Sequence, residues 1–162
     1  MTPLPTLSRV SPPMSVRACA SFEADFPPDS EFKHPEGCYF ARRLTEQLRS
    51  ACPDVGPFDN WRDCGWYVPC RLNEASLWIF FARYSKQHHW ELVVAPRGLP
   101  GPLARLLGRR PPQYVDSLKT ISGVVDRALK LESVVANVRW ALNTPPERTG
   151  PTNPDLLMWP QR

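Results

Sequence analysis

Long apolar runs are missing from this sequence. No stretch approaches the roughly 18 residues that a membrane-crossing helix requires, so a helical membrane span is excluded. Glycine is scarce, at 8 of 162 residues. None of the glycines falls into G-x-G-x-x-G, the phosphate-cradling P-loop or G-x-S-x-G, and H-E-x-x-H and H-x-E with a following P-C-x-x-C are missing too. The common nucleotide, hydrolase, zinc-peptidase and deaminase signatures are therefore excluded. In MTPLPTLSRVSPPMSVRACASF prolines and serines interrupt each apolar pair, so no signal peptide is expected, and Met14 is an alternative start.

Cysteine is present but unhelpful to metals. Cys19, Cys38, Cys52, Cys64 and Cys70 are odd in number and irregular in spacing, which points to free thiols in a reducing cytoplasm. The pairs His34 with Cys38, Cys64 with Cys70, and His88 with His89 lack the spacing of a zinc knuckle. Cys64 and Cys70 on one strand would stand about 20 Å apart. No metal and no cofactor are expected. A nucleophile built from Cys64 or Cys70, with His88 or His89 and Asp63, is the enzymatic alternative. Neither cysteine has the glycine-rich elbow or helix start that lowers a thiol pKa, so the chain is not expected to be an enzyme.

Proline is what the sequence has in abundance. Seven of 20 lie in residues 1–37 and five in 145–162, where they cannot donate ladder hydrogen bonds or continue a helix. Three regions follow: a proline-rich arm over 1–37, acidic across 23–36; a single domain over 38–144; and a tail over 145–162 whose apolar tip, Leu156 to Trp159, is expected to dock on the domain. The net charge of +4 is unevenly spread. Residues 23–36 hold five carboxylates against one lysine, whereas 97–119 hold five cations against one carboxylate. The arm, with Phe22, Phe26 and Phe32 as apolar pegs, is expected to dock near residues 105–110 or to reach a partner.

Within the domain the hydrophobic period changes. Phe40, Leu44, Leu48 and Ala51 mark an amphipathic helix stopped by Pro53, and Val115, Leu118, Ile121 or Ser122, Val125 and Leu129 mark a second. Residues 61–70, 76–84 and 89–95 read as strands joined by hairpins, LARLLG as a short helix, and VVANVRWAL as a last strand. The expected class is α+β: an antiparallel β-meander of three to four strands, two main helices on one face, and the order αβββ(α)αβ. The last strand is expected to join either edge of the meander.

The stretch DNWRDCGWYVPCRL poses the functional question. As one strand it sends Trp61, Asp63, Gly65 and Tyr67 to one face and Arg62, Cys64, Trp66, Val68 and Cys70 to the other, the core face. Gly65 then marks a bulge or a ring lying over the backbone, and Pro69 an edge. Trp61, Asp63 and Tyr67, supported by Trp78 or Trp90, form a candidate partner-binding surface, because tryptophan and tyrosine anchor interfaces. The expectation is a non-enzymatic cytoplasmic protein-binding module of bacterial or phage character. Such a module would neutralise a toxin or effector by stoichiometric binding, as immunity, inhibitor and antitoxin proteins do. The alternative is a nucleic-acid or phosphate-binding module using Arg105, Arg109 and Arg110, although Leu103, Leu106 and Leu107 make that segment amphipathic.

Overall fold

Both amphipathic segments are helical, and they share one face of a single antiparallel sheet. The computed structural model describes residues 15–32, 34–84, 88–98, 114–146 and 149–160. The elements are β1 (Ala18–Ala24), α1 (Cys38–Ala51), β2 (Asp54–Val55), β3 (Asp59–Trp61), β4 (Gly65–Leu72), β5 (Ala75–Arg83), β6 (His89–Pro96), α2 (Val115–Leu131), β7 (Val135–Leu142) and a 3-10 turn at Pro154–Leu156. The sheet has seven strands in the order β2-β4-β5-β6-β1-β7, with β3 also pairing β4. The class is α+β, as the periodicity implied. LARLLG lies outside the described residues.

Three departures from the sequence reading have physical causes. The arm assigned to residues 1–37 contains β1, a strand hydrogen-bonded on both sides, to β6 and to β7. Its Ala18, Ala20, Phe22 and Ala24 alternate onto the helix-covered face and are buried, but small residues carry little hydrophobic signal beside so many prolines. In consequence β7 joins β1, not an edge of the meander. Residues 61–70 are likewise not one strand. Cys64 N–H donates to the Trp61 carbonyl at 3.0 Å across Arg62 and Asp63, both in the left-handed region, so the chain doubles back and Trp61 pairs Gly65.

The core lies between the sheet and the two helices. Phe40, Leu44 and Leu48 from α1 and Leu118, Ile121, Val125 and Leu129 from α2 meet Trp66, Val68, Leu77, Ile79, Phe81, Trp90, Leu92 and Val94. Three of the six tryptophans are core residues, and each indole N–H is satisfied: Trp66 by the Pro35 and Glu36 carbonyls, Trp90 by the Ala24 carbonyl, and Trp140 by Asp126. The first two tie Ala24, Pro35 and Glu36 to the sheet. Gly37 completes the tie: its φ is 97°, and a Cβ there would stand 2.9 Å from the Trp90 ring, so only glycine starts α1 here.

The acidic stretch docks on its own domain through this arrangement. Phe26 stacks on Phe40 with centroids 5.0 Å apart and meets Trp90 edge-on, while Phe32 lies edge-on to Trp66. Asp29 and Glu31 pair with Arg42, and Glu36 with Arg83. The expected cationic partner, residues 105–110, lies outside the described residues. At the other end the tail returns to the core: Pro154 is buried, Leu157 and Trp159 pack against the core, and Leu156 and Met158 face solvent.

Candidate protein-binding face

The other face of the sheet is where sequence alternation places a second apolar set. In register across β4, β5 and β6 run Tyr67, Phe80 and Val93, then Pro69, Trp78 and Ala95. Both described helices lie on the opposite side, with the core. Trp61, at the end of β3, leans over this surface. Its ring meets Tyr67 edge-on at 5.9 Å and Trp78 at 5.8 Å, and Trp78 lies 6.3 Å from Phe80. Trp61 is 38% exposed, and the other three rings are half-buried. Four aromatic rings thus form a connected, solvent-facing cluster near one edge of the sheet.

Local chemistry fixes that edge. Gly65 leaves room for the Phe80 ring, since a Cβ would stand 3.0 Å from it and 2.5 Å from the Phe81 carbonyl oxygen. Pro69 sits where β4 has no continuous outer neighbour, opposite the link between β2 and β3, and its missing N–H leaves no ladder bond unmade. The Arg62 guanidinium lies 5.4 Å over the Trp61 ring. Asp63 accepts from Asn60 Nδ2 at 2.7 Å, and its own N–H donates to Asn60 Oδ1 at 2.8 Å. Its carboxylate therefore stiffens the turn that carries Trp61.

The structure brings Trp61, Tyr67 and Trp78 together and sets Asp63 on their rim. Trp90 does not belong with them: it is 2% exposed, on the core face. Its strand parity decides this, because Trp90 alternates with His89 and Glu91 and shares its side with Leu92 and Val94. Phe80, Val93 and Ala95 were not singled out from the sequence, and Pro69 only as the mark of an edge. The available signal was that β5 is apolar at every position from Leu77 to Ala82, which a strand with one solvated face does not need.

No family model and no curated protein matches the chain. The chemistry must be read from its own residues. Cys70 is buried and its thiol is pushed up to about 12, chiefly by burial, so it is a poor nucleophile. Cys64 is exposed and donates its thiol hydrogen to the Trp61 carbonyl at 2.9 Å. His88 is exposed in a turn beside Asp25, and His89 opens β6. Among the described residues no three His, Cys, Asp or Glu side chains stand together as a metal site, and no helix is long and apolar enough to cross a membrane. Arg105, Arg109 and Arg110 lie outside the described residues.

Proposed function

We propose that this protein is a cytoplasmic, non-enzymatic binding module that engages another protein through the open face of its sheet. The observation that carries the reading is the connected cluster of Trp61, Tyr67, Trp78 and Phe80 facing solvent. Aromatic rings supply large contact area at low conformational cost and dominate the energetics of interfaces. They stand on a rigid sheet whose opposite side is packed core, so little ordering is needed on binding. A stoichiometric inhibitor of a toxin or effector, in the manner of immunity proteins, is the use we favour, because a preformed surface of this kind serves capture. The buried Cys70 thiol weakens the cysteine-enzyme alternative.

The test is capture with the tagged full chain, identification of the partner by mass spectrometry, and titration of variants against it. Trp61→Ala with Trp78→Ala should weaken binding by about 2 kcal/mol or more, roughly thirtyfold. Leu131→Ala, an exposed site at the end of α2, should change nothing. Unaltered affinity in a folded Trp61→Ala, Trp78→Ala variant would remove the face from the interaction.

A further inference from the structure

At one end of the aromatic face the sheet carries a row of polar side chains. Arg71 on β4 is in register with Ser76 on β5, and the N–H of Arg97, just past β6, donates to the Ser76 carbonyl at 2.8 Å. Two arginines on neighbouring strands therefore flank one serine, with their Cα atoms about 10 Å apart across β5. All three line a cleft of about 420 Å³, together with Asp54, Pro69 and Leu77. Arg71, Ser76 and Arg97 are exposed. Among the described residues neither Arg71 nor Arg97 has an ion-pair partner.

We propose that this cleft is a carboxylate-binding subsite, which receives one acidic group of the protein that covers the aromatic face. The chemistry of the cleft selects a carboxylate. Guanidinium forks match the two oxygens of a carboxylate, and Ser76 adds a neutral donor. Asp54 stands opposite Arg71 on the neighbouring strand, so two cations and one anion leave a single net positive charge, which suits a monoanion better than a doubly charged phosphate. Position selects a peptide as the carrier: Ser76 is two residues from Trp78 on the same side of β5, and Pro69 gives the cleft an apolar wall. A chain lying along the aromatic rings reaches the arginines within one or two residues. The carrier's identity rests on the proposed protein-binding reading; the carboxylate preference rests on the cleft alone.

The experiment titrates the nitrogen-15-labelled full chain with four small probes, followed by amide chemical shifts. The probes are N-acetylglutamyl amide for a side-chain carboxylate, N-acetyl-leucine for a terminal carboxylate, N-acetylglutaminyl amide as the neutral isostere, and inorganic phosphate. Saturable shifts centred on Ser76, Arg97 and Gly98 with either carboxylate, and at least tenfold weaker binding of the neutral isostere, are expected. The tighter carboxylate identifies the source. Arg71→Ala with Arg97→Ala should weaken carboxylate binding at least tenfold, and Arg71→Lys with Arg97→Lys should restore part of it. Trp61→Ala with Trp78→Ala should leave it unchanged, so that failure of the aromatic face and failure of the subsite give different results. Equal binding of the neutral isostere, shifts spread over the whole surface, no effect of the double alanine variant, or a tenfold preference for phosphate would each overturn the proposal.

Discussion

The Trp140 indole N–H donates to Asp126 Oδ1 at 2.9 Å, inside the core, and the other Asp126 oxygen accepts from Lys130 Nζ at 2.6 Å. This one carboxylate, 5% exposed, joins α2 to β7 and satisfies two donors. Asp126→Ala orphans the buried indole and should cost about 2 to 3 kcal/mol. Asp126→Asn keeps an acceptor and should cost about 1 kcal/mol. Urea denaturation midpoints measure both, and equal losses would mean that the bond to Trp140 contributes little.

Removing residues 1–21 deletes most of β1, which has hydrogen-bonded neighbours on both sides. The truncated chain should not fold, as seen by loss of amide dispersion. Phe26→Ala, which empties the space between Phe40 and Trp90, should cost about 2 to 3 kcal/mol and speed amide exchange over residues 24–32. Phe32→Ala should cost less than 1 kcal/mol, because the side chain is 44% exposed.

Ser122 is fully buried on α2, and among the described residues its hydroxyl has no hydrogen-bond partner. Ser122→Ala removes an unsatisfied polar group and adds helix propensity, so it should raise stability by about 0.5 to 1 kcal/mol. A lower melting temperature in the variant would show that the hydroxyl is satisfied in solution.

Asp29 caps the turn that leads toward α1. Its carboxyl is held below the usual carboxylate range, first by the N–H groups of Glu31 and Phe32, at 2.9 and 3.0 Å, and then by Arg42. Folding therefore favours the ionised form. The resulting stabilisation is present at neutral pH, above the ordinary carboxylate pKa, and is lost as pH falls through and below that range. Amide exchange at residues 30–32, corrected for its intrinsic pH dependence, should lose protection on acidification. Asp29→Ala, which removes the acceptor, should show the unprotected rate already at neutral pH, without that acid-side change.

Five thiols should divide into one and four. Burial pushes Cys19 and Cys38 up to about 11 and Cys70 to about 12, Cys52 is buried, and Cys64 is exposed. Iodoacetamide at neutral pH should add one label per folded chain, lost in Cys64→Ser, with the other four reacting only on unfolding. Intact mass after timed quenching reads this directly.

Both helices were legible because their apolar residues repeat over three turns or more, and β5, β6 and β7 because each gathers several β-branched or aromatic residues in one short segment. The strand β1 was not, since ACASFEA buries alanines whose transfer energy is small. The hairpin at Arg62 and Asp63 was hidden for a different reason. Left-handed backbone there is held by Asn60 and by pairing to β4, not by a glycine or asparagine at the turn itself. Trp61 and Tyr67 were placed on one face by the assumption of a single strand, and they do share it, though across a hairpin and not along a strand. Trp90 was misassigned because a tryptophan at the start of a strand reads equally as core or as surface until the register is known.

The pairing of β1 with β7 has a consequence for how the molecule comes into being. Glu23 and Asn137 are joined across 114 positions of chain, and Arg17 and Asn143 across 126. During synthesis β1 leaves the ribosome among the first residues described here, yet its outer partner is made only after α2. Until then β1 presents a bare ladder edge, open to other nascent chains and to chaperones. Contacts this distant in sequence also slow the search for the native state, so the pairing of β1 with β7 closes the sheet late.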